Sequence, residues 1–188
     1  MPPKVRVNKE DIIQTALKLV RQGGEQAINA RAIASALGCS TQPVFYNFET
    51  MEELAEAIRQ EVYGIYLVFI KRETEQSNYP SYKSMGMAYI RFAKEERELF
   101  KLLFMQDRTG KDTSPTLDFE EAVSSIMNAN GVSKEVAFRI HLEVWACVHG
   151  IATMLATAFL SLEWELISDM LTDVYRGILQ RHLSGEKI

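Results

Sequence analysis

The sequence has few of the residues from which catalytic and metal sites are built: two cysteines and three histidines among 188 residues. It contains no GxGxxG or GK[ST] phosphate loop, no HExxH motif, no Glu-x-x-His pair and no Cys-x-x-Cys pair. His141 and His149 are eight residues apart, with no third ligand in register. We therefore expect a protein that is not an enzyme and that has no metal site and no cofactor.

Secretory and membrane features are also missing. Cys39 and Cys147 lie far apart, which excludes a disulfide framework, and the first eleven residues have no apolar signal segment. The apolar run 144–160 is interrupted by His149 and Gly150, so we interpret it as a buried interface helix rather than a membrane span. We expect a cytoplasmic protein without membrane contact.

Charge is distributed unevenly along the chain. Residues 1–48 carry six basic and three acidic side chains, a balance of +3, whereas the whole chain has a net charge of −4 and the remainder therefore −7. A basic N-terminal part on an acidic body is typical of a protein that presents one end to nucleic-acid phosphates.

Apolar residues recur with helical spacing along most of the chain, and no segment alternates as a strand does. About nine helices are predicted. The first begins at the cap Asn8 and stops at Gly23-Gly24, the fourth begins at Thr50 and runs to about residue 71, and the eighth runs from Ser133 to about residue 160. The others cover about 82–93, 99–105, 119–129 and 163–182, and a loop occupies 106–115.

Residues 29–48 read as two short helices joined at Gly38. Asn29 can cap the first, whose buried side would hold Ile33, Ala34 and Leu37. For the second helix, Ser40 is a candidate cap and Pro43 falls in the first turn, where a missing N–H is tolerated. Val44 and Phe45 would point inward while Thr41, Gln42, Tyr46 and Asn47 remain for a partner, as in a helix-turn-helix.

This unit and its flanks resemble the TetR family of bacterial transcriptional regulators. The resemblance runs from about Asn8 to about Ile58, through IIQTALKLV, a GG stop, AIASALGCS, VFYNF and ETMEELAEAI. A second resemblance is found in WACVHGIATML, residues 145–155, which is similar to the Trp-His-Gly signature in the C-terminal domain of one subgroup of the family.

The resemblance implies an all-α fold with a three-helix DNA-binding domain (1–48) and a ligand-binding and dimerisation domain (49–188). It implies a homodimer that pairs through its last two helices and binds a palindromic operator in double-stranded DNA. Thr41 and Met51 stand where the family commonly has Lys, so we expect phosphate contact to rely more on Arg31, Lys4, Arg6 and the backbone N–H groups of helix starts. The expected DNA-binding residues are Lys4, Arg6, Arg31, Ser40, Thr41, Gln42, Pro43, Tyr46 and Asn47.

The C-terminal part is expected to surround a small apolar or amphipathic effector, because methionines and aromatics make adaptable apolar walls. The candidate lining residues are Met85, Tyr89, Phe92, Leu103, Phe104, Met105, Trp145 and His149. For His149 a hydrogen-bonded place in the core is an equal alternative.

A repressor released from its operator by the effector is the function that this pattern favours. A transcriptional activator or a ligand-independent regulator of the same fold remains open, as does a helical small-molecule-binding module.

Overall fold

The computed structural model describes residues 7–107, 109–110 and 117–184. Within these residues every regular element is helical, which confirms the predicted all-α fold. The elements are α1 (Lys9–Gly23), a short 3₁₀ helix (Glu25–Ala27), α2 (Ala30–Ala36), α3 (Gln42–Asn47), α4 (Met51–Glu75), α5 (Ser81–Glu95), α6 (Arg97–Phe104), α7 (Leu117–Asn130), α8 (Lys134–Ala156) and α9 (Trp164–Ser184).

Side-chain caps explain where four of these helices begin. The Asn8 carboxamide accepts from the Asp11 N–H at 2.9 Å, and the Asp11 carboxylate accepts from the Asn8 N–H at 3.0 Å, which forms a capping box. Asn29 and Thr50 cap α2 and α4 in the same way, by accepting from the third N–H of the helix, and Ser133 caps α8. The sequence predicts Asn8 and Asn29 as caps and places the starts of α4 and α8 at Thr50 and Ser133.

Two helix ends differ from the prediction. Helix α4 continues to Glu75, one turn beyond the expected end, and α8 stops at Ala156 rather than near Leu160. Beyond α8 the Phe159 N–H donates to the Met154 carbonyl and the Ala158 N–H to the Leu155 carbonyl, with Ala158 at φ 55°. This is a Schellman ending, and it was missed because alanine occupies the left-handed position that glycine usually takes.

The chain divides into two compact units. The first unit comprises residues 1–68 and 96–106, and therefore contains α1, α2, α3, the first part of α4, and α6. Its core includes Ile12, Leu17 and Val20 from α1, and α1 contacts both α2 and α6. The Arg21 guanidinium donates two hydrogen bonds, of 2.9 and 3.0 Å, to the Glu96 carboxylate, and these bonds link α1 to the start of α6.

The second unit comprises residues 69–95 and 107–188. Helix α8 is its central element, because α8 contacts α5, α7 and α9. Val144, Val148, Ile151 and Leu155 recur along α8 at helical spacing and are buried. The boundaries of these two units differ from those of the predicted DNA-binding domain (1–48) and ligand-binding domain (49–188), because α6 and part of α4 pack with the first three helices. The functional division stays a prediction.

Candidate functional site

The turn between α2 and α3 depends on the backbone of one glycine. Leu37 ends α2, and Gly38 follows at φ 66°, a conformation that residues with a side chain rarely adopt. The Cys39 N–H then donates to the Ala34 carbonyl at 2.9 Å and closes the turn. Leu37 itself is half-buried, so its predicted burial is only partly met.

Helix α3 begins differently from the prediction. Thr41, not Ser40, is the N-cap residue, and its side chain makes no capping hydrogen bond. Pro43 lies in the first turn as predicted, where it removes no intrahelical hydrogen bond.

Phe45 does not point inward, and this prediction was wrong. On α3 only Val44 is buried, at 1% exposure, whereas Phe45 is 51% exposed and Tyr46 is 90% exposed. Phe48, just past the helix, is buried instead, and the Lys9 ammonium group lies 4.9 Å from the centre of its ring. Helix α3 therefore presents Gln42, Phe45 and Tyr46 together to the outside.

The Asn47 side chain makes hydrogen bonds within the protein that its sequence position did not indicate. Its amide nitrogen donates to the Pro43 carbonyl at 2.8 Å and to the Val7 carbonyl at 3.4 Å. It therefore holds the segment before α1 beside α3, and its contact with DNA stays a prediction.

The structure describes four of the other six predicted DNA-binding residues. Arg31 and Ser40 are exposed, and Thr41 and Pro43 are half-buried. Lys4 and Arg6 lie outside the described residues. Contact with DNA stays a prediction for each of them.

Three of the predicted effector-site residues meet in the second unit. The Tyr89 hydroxyl lies 2.9 Å from His149 Nδ1, and the Trp145 ring stacks on the imidazole with centroids 5.0 Å apart and planes within 18°. Phe92 is fully buried against Phe69, and Met85 is half-buried on α5. The remaining three residues belong to the first unit, where Phe104 packs against Tyr66 with Leu103 and Met105 beside it in the chain.

A second tyrosine–histidine pair was not predicted. The Tyr82 hydroxyl lies 2.8 Å from His141 Nδ1, and the Phe119 ring packs edge-on against the same imidazole at 4.1 Å between centroids. The signal in the sequence is the matched spacing, since Tyr82 and Tyr89 are seven residues apart and the two histidines eight.

Burial keeps both pairs uncharged near neutral pH. It lowers the pKa of His141 to about 4 and also lowers the pKa of His149. The pKa values of Tyr82 and Tyr89 are raised for the same reason. In each case the charged form loses hydration that the neutral form does not need.

The apolar residues expected to form a dimer interface are divided between core and surface. Ile167 and Leu171 of α9 are buried within the subunit, as is most of the apolar run in α8. Residues buried within the subunit cannot also contact a second copy, so the exposed apolar side chains of α8 and α9 are the remaining candidates for the interface, which stays a prediction. The large apolar side chains that remain exposed near these helices are Phe138, Leu142, Phe159, Leu160, Leu166 and Leu183.

Two features are absent from the described part of the chain. No helix there is both long and apolar enough to cross a bilayer. No group of three or more His, Cys, Asp or Glu side chains there could hold a metal ion.

Comparison with known proteins assigns both parts of the chain. Residues 12–58 match the bacterial regulatory proteins, tetR family, and residues 82–185 match the tetracyclin repressor-like, C-terminal domain. An uncharacterized HTH-type transcriptional regulator of Mycobacterium tuberculosis is 21% identical over an alignment of 186 residues that covers 96% of this chain and 85% of the relative. The similarity to one Trp-His-Gly subgroup stays a prediction.

Solved structures share the fold. A TetR-like transcriptional regulator from Rhodococcus sp. RHA1 superposes with a TM-score of 0.69 at 14% identity, covering 99% of this chain and all of its own. A member of the TetR family from Streptomyces coelicolor A3 gives a TM-score of 0.60 at 14% identity, covering 88% of this chain and 96% of its own. With two matched domains that together span most of its length, the chain belongs to the TetR family of bacterial transcriptional regulators, which are DNA-binding transcription factors and not enzymes.

Proposed function

We propose that this protein is a transcriptional repressor that leaves a palindromic operator when a small molecule binds its second unit. The observation that carries the proposal is the outward surface of α3, on which Gln42, Phe45 and Tyr46 are exposed together while Val44 anchors the helix. As a cytoplasmic regulator it acts where bacterial DNA lies, through residues 1–48, with residues 49–188 used for dimerisation and effector binding.

The three exposed side chains suit different features of a major groove. The Gln42 carboxamide can make paired hydrogen bonds to an adenine edge. The Tyr46 hydroxyl can donate to a phosphate, and the exposed Phe45 ring offers an apolar surface to a thymine methyl group. Arg31, Lys4 and Arg6 supply phosphate contacts, together with Ser40, Thr41 and Asn47 at and around α3. Pro43 has no N–H to donate, so it contacts DNA only through its apolar ring.

Dimerisation would set the length of the operator. One six-residue recognition helix makes few base contacts, so two copies are needed for useful affinity, and a twofold dimer reads a palindrome. Half-exposed and exposed apolar side chains on α8 and α9, among them Leu142, Leu166 and Met170, support a pairing surface there.

Release by an effector requires a difference in affinity between two arrangements of the dimer. In one arrangement the two α3 helices fit successive major grooves, and in the other they do not. A molecule that binds the second unit more tightly in the other arrangement lowers DNA affinity. Helix α4 runs through both units along the chain, so we propose that it transmits the change.

DNA binding is tested by fluorescence anisotropy with DNA from upstream of the protein's own gene. We expect affinity to fall steeply as salt rises, because neutralised phosphates release counterions. The double variant Gln42→Ala/Tyr46→Ala should bind at least about tenfold more weakly, corresponding to about 1.4 kcal/mol or more, with an unchanged melting temperature. Gln22→Ala, an exposed glutamine on α1, is the matched control.

The same assay tests the proposed thymine contact of Phe45. Replacing single thymines by deoxyuridine removes only the C5 methyl group, so it should weaken the wild type at one position per half-site and leave Phe45→Ala unaffected there. Equal affinity of the wild type and the double variant for this DNA, at matched salt, means that α3 is not the recognition surface.

A further inference from the structure

We infer that the effector is an uncharged aromatic molecule with a hydroxyl or carbonyl group, held by Tyr89, Phe119, Trp145, His149 and Thr153. We call these five residues the α5–α8 cluster. The inference rests on the proposed function, because it names the chemical class of the molecule that the second unit senses.

The cluster offers aromatic surfaces that are partly open. Trp145 and His149 lie one turn apart on α8 and stack on one another, and Phe119 of α7 approaches the Trp145 ring edge-on at 6.0 Å. Trp145, His149 and Phe119 are all half-buried, so their rings are not fully enclosed by the protein. A flat aromatic molecule can stack on such surfaces in place of solvent.

Thr153 supplies a polar atom without a partner. It lies one turn beyond His149 on the same face of α8, and its side-chain oxygen is buried with no hydrogen bond to any described residue. The neighbouring Thr157 hydroxyl, in contrast, donates to the Thr153 carbonyl at 2.8 Å. A buried hydroxyl without a partner destabilises the fold, and a ligand hydroxyl or carbonyl beside His149 is what would satisfy it.

The charged side chains of α5 and α8 that are not exposed already have hydrogen-bond or ion-pair partners, which bears on the charge of the ligand. On α5, the Lys83 ammonium donates to Ser168 and Thr172 at 2.7 Å each, and Arg91 binds Glu73 at 2.6 Å. On α8, Glu143 binds Arg181 and His182.

The other charged side chains of these two helices are exposed: Lys94, Glu95, Lys134, Glu135 and Arg139. The cluster itself contains only neutral donors and acceptors, since burial disfavours the charged forms of Tyr89 and His149. A charged ligand would therefore be buried without a counter-charge, which is costly, whereas an uncharged ligand would not.

The charge of the ligand is tested by isothermal titration calorimetry of the whole protein without DNA. The probes are 2-naphthol, naphthalene-2-carboxylate and 2-naphthylmethylammonium, which share one ring system and differ in charge at pH 7. We expect 2-naphthol to bind and each charged probe to bind at least about tenfold more weakly. Equal or tighter binding of a charged probe overturns the inference, as does the absence of 2-naphthol binding up to its solubility.

The orphan hydroxyl is tested with Thr153→Val, which keeps the side-chain shape. We expect an unchanged or higher melting temperature together with about fivefold weaker 2-naphthol binding, because the variant removes an unsatisfied hydroxyl and a ligand contact at once. The matched control Thr157→Val should bind 2-naphthol as the wild type does. A lower melting temperature with unchanged 2-naphthol affinity assigns Thr153 a structural role and removes it from the site.

Failure of this inference and failure of the proposed function give different results. If 2-naphthol binds with the expected selectivity but does not lower DNA affinity in the anisotropy assay, the cluster is a ligand site and effector-controlled repression is wrong. If DNA binding by α3 behaves as proposed and no neutral aromatic probe binds, the protein is a DNA-binding regulator and the ligand class is wrong.

Discussion

At the scale of single residues, the protonation of His141 affects the stability of the second unit. The imidazole is buried beside the Tyr82 hydroxyl and the Phe119 ring, and Tyr82 in turn packs against Tyr175. None of these neighbours carries a charge near neutral pH that could stabilise an imidazolium. The folded protein therefore keeps His141 neutral to about pH 4, whereas an unfolded chain protonates it near pH 6.5.

This difference predicts lower stability in mild acid. A histidine whose folded pKa lies below its unfolded value contributes stability that is complete above about pH 6.5 and is lost as the pH falls towards 4. We expect the free energy of unfolding to fall by up to about 1 kcal/mol per pH unit from His141, with His149 acting in the same direction.

Denaturant titrations at several pH values between 7.5 and 4.5 measure the effect, with His141→Asn as the comparison because its amide can replace Nδ1 and does not titrate. The difference in unfolding free energy between the wild type and His141→Asn should become smaller as the pH falls. Parallel pH profiles for the two proteins would attribute the acid sensitivity to other groups.

Residue-level predictions succeeded where the cause is local. The Asn8, Asn29, Thr50 and Ser133 caps follow from side chains that bond a backbone N–H three residues away, so the sequence contains the whole interaction. The exposure of Phe45 depends instead on Val44 and Phe48 filling the space beneath α3, which requires the packed unit. An aromatic beside a valine gives no indication of which of the two is buried.

At the scale of elements, α8 and α9 combine a core surface with an outer surface. Ala156 lies at the end of α8 with 2% exposure, and Leu166 near the start of α9 is 50% exposed. Both are apolar residues in the region expected to pair two subunits. Only burial in the folded chain distinguishes them, because α8 is apolar over more than half of its circumference and its periodicity does not reveal which side meets a second copy.

Charged substitutions should distinguish a residue of the pairing surface from a residue of the subunit core. We expect light scattering to report a dimer for the wild type and a monomer for Leu166→Glu, with little change in melting temperature, since the glutamate is solvated in the single subunit. Ala156→Glu should lower the unfolding free energy by several kcal/mol, because it forces a charge into the core of the subunit. A Leu166→Glu protein that still has twice the chain mass would place the pairing surface elsewhere.

At the scale of the whole molecule, the order of helices was predictable and the division into units was not. Family resemblance and capped, periodic segments located the nine described helices, because both signals run along the sequence. The inclusion of α6 in the first unit depends on contacts such as Arg21 with Glu96, which are 75 residues apart. The predicted effector residues were divided between units for the same reason, and Tyr82, His141 and Phe119 were missed because three different helices bring them together.

Repression through the exposed surface of α3 is the central proposal for this protein. It is tested by a transcriptional reporter driven by the DNA upstream of its gene, with the wild type and Gln42→Ala/Tyr46→Ala expressed to equal abundance. We expect low reporter output with the wild type and full output with the double variant. Output that rises with the wild type, or that falls equally with both proteins, would contradict it.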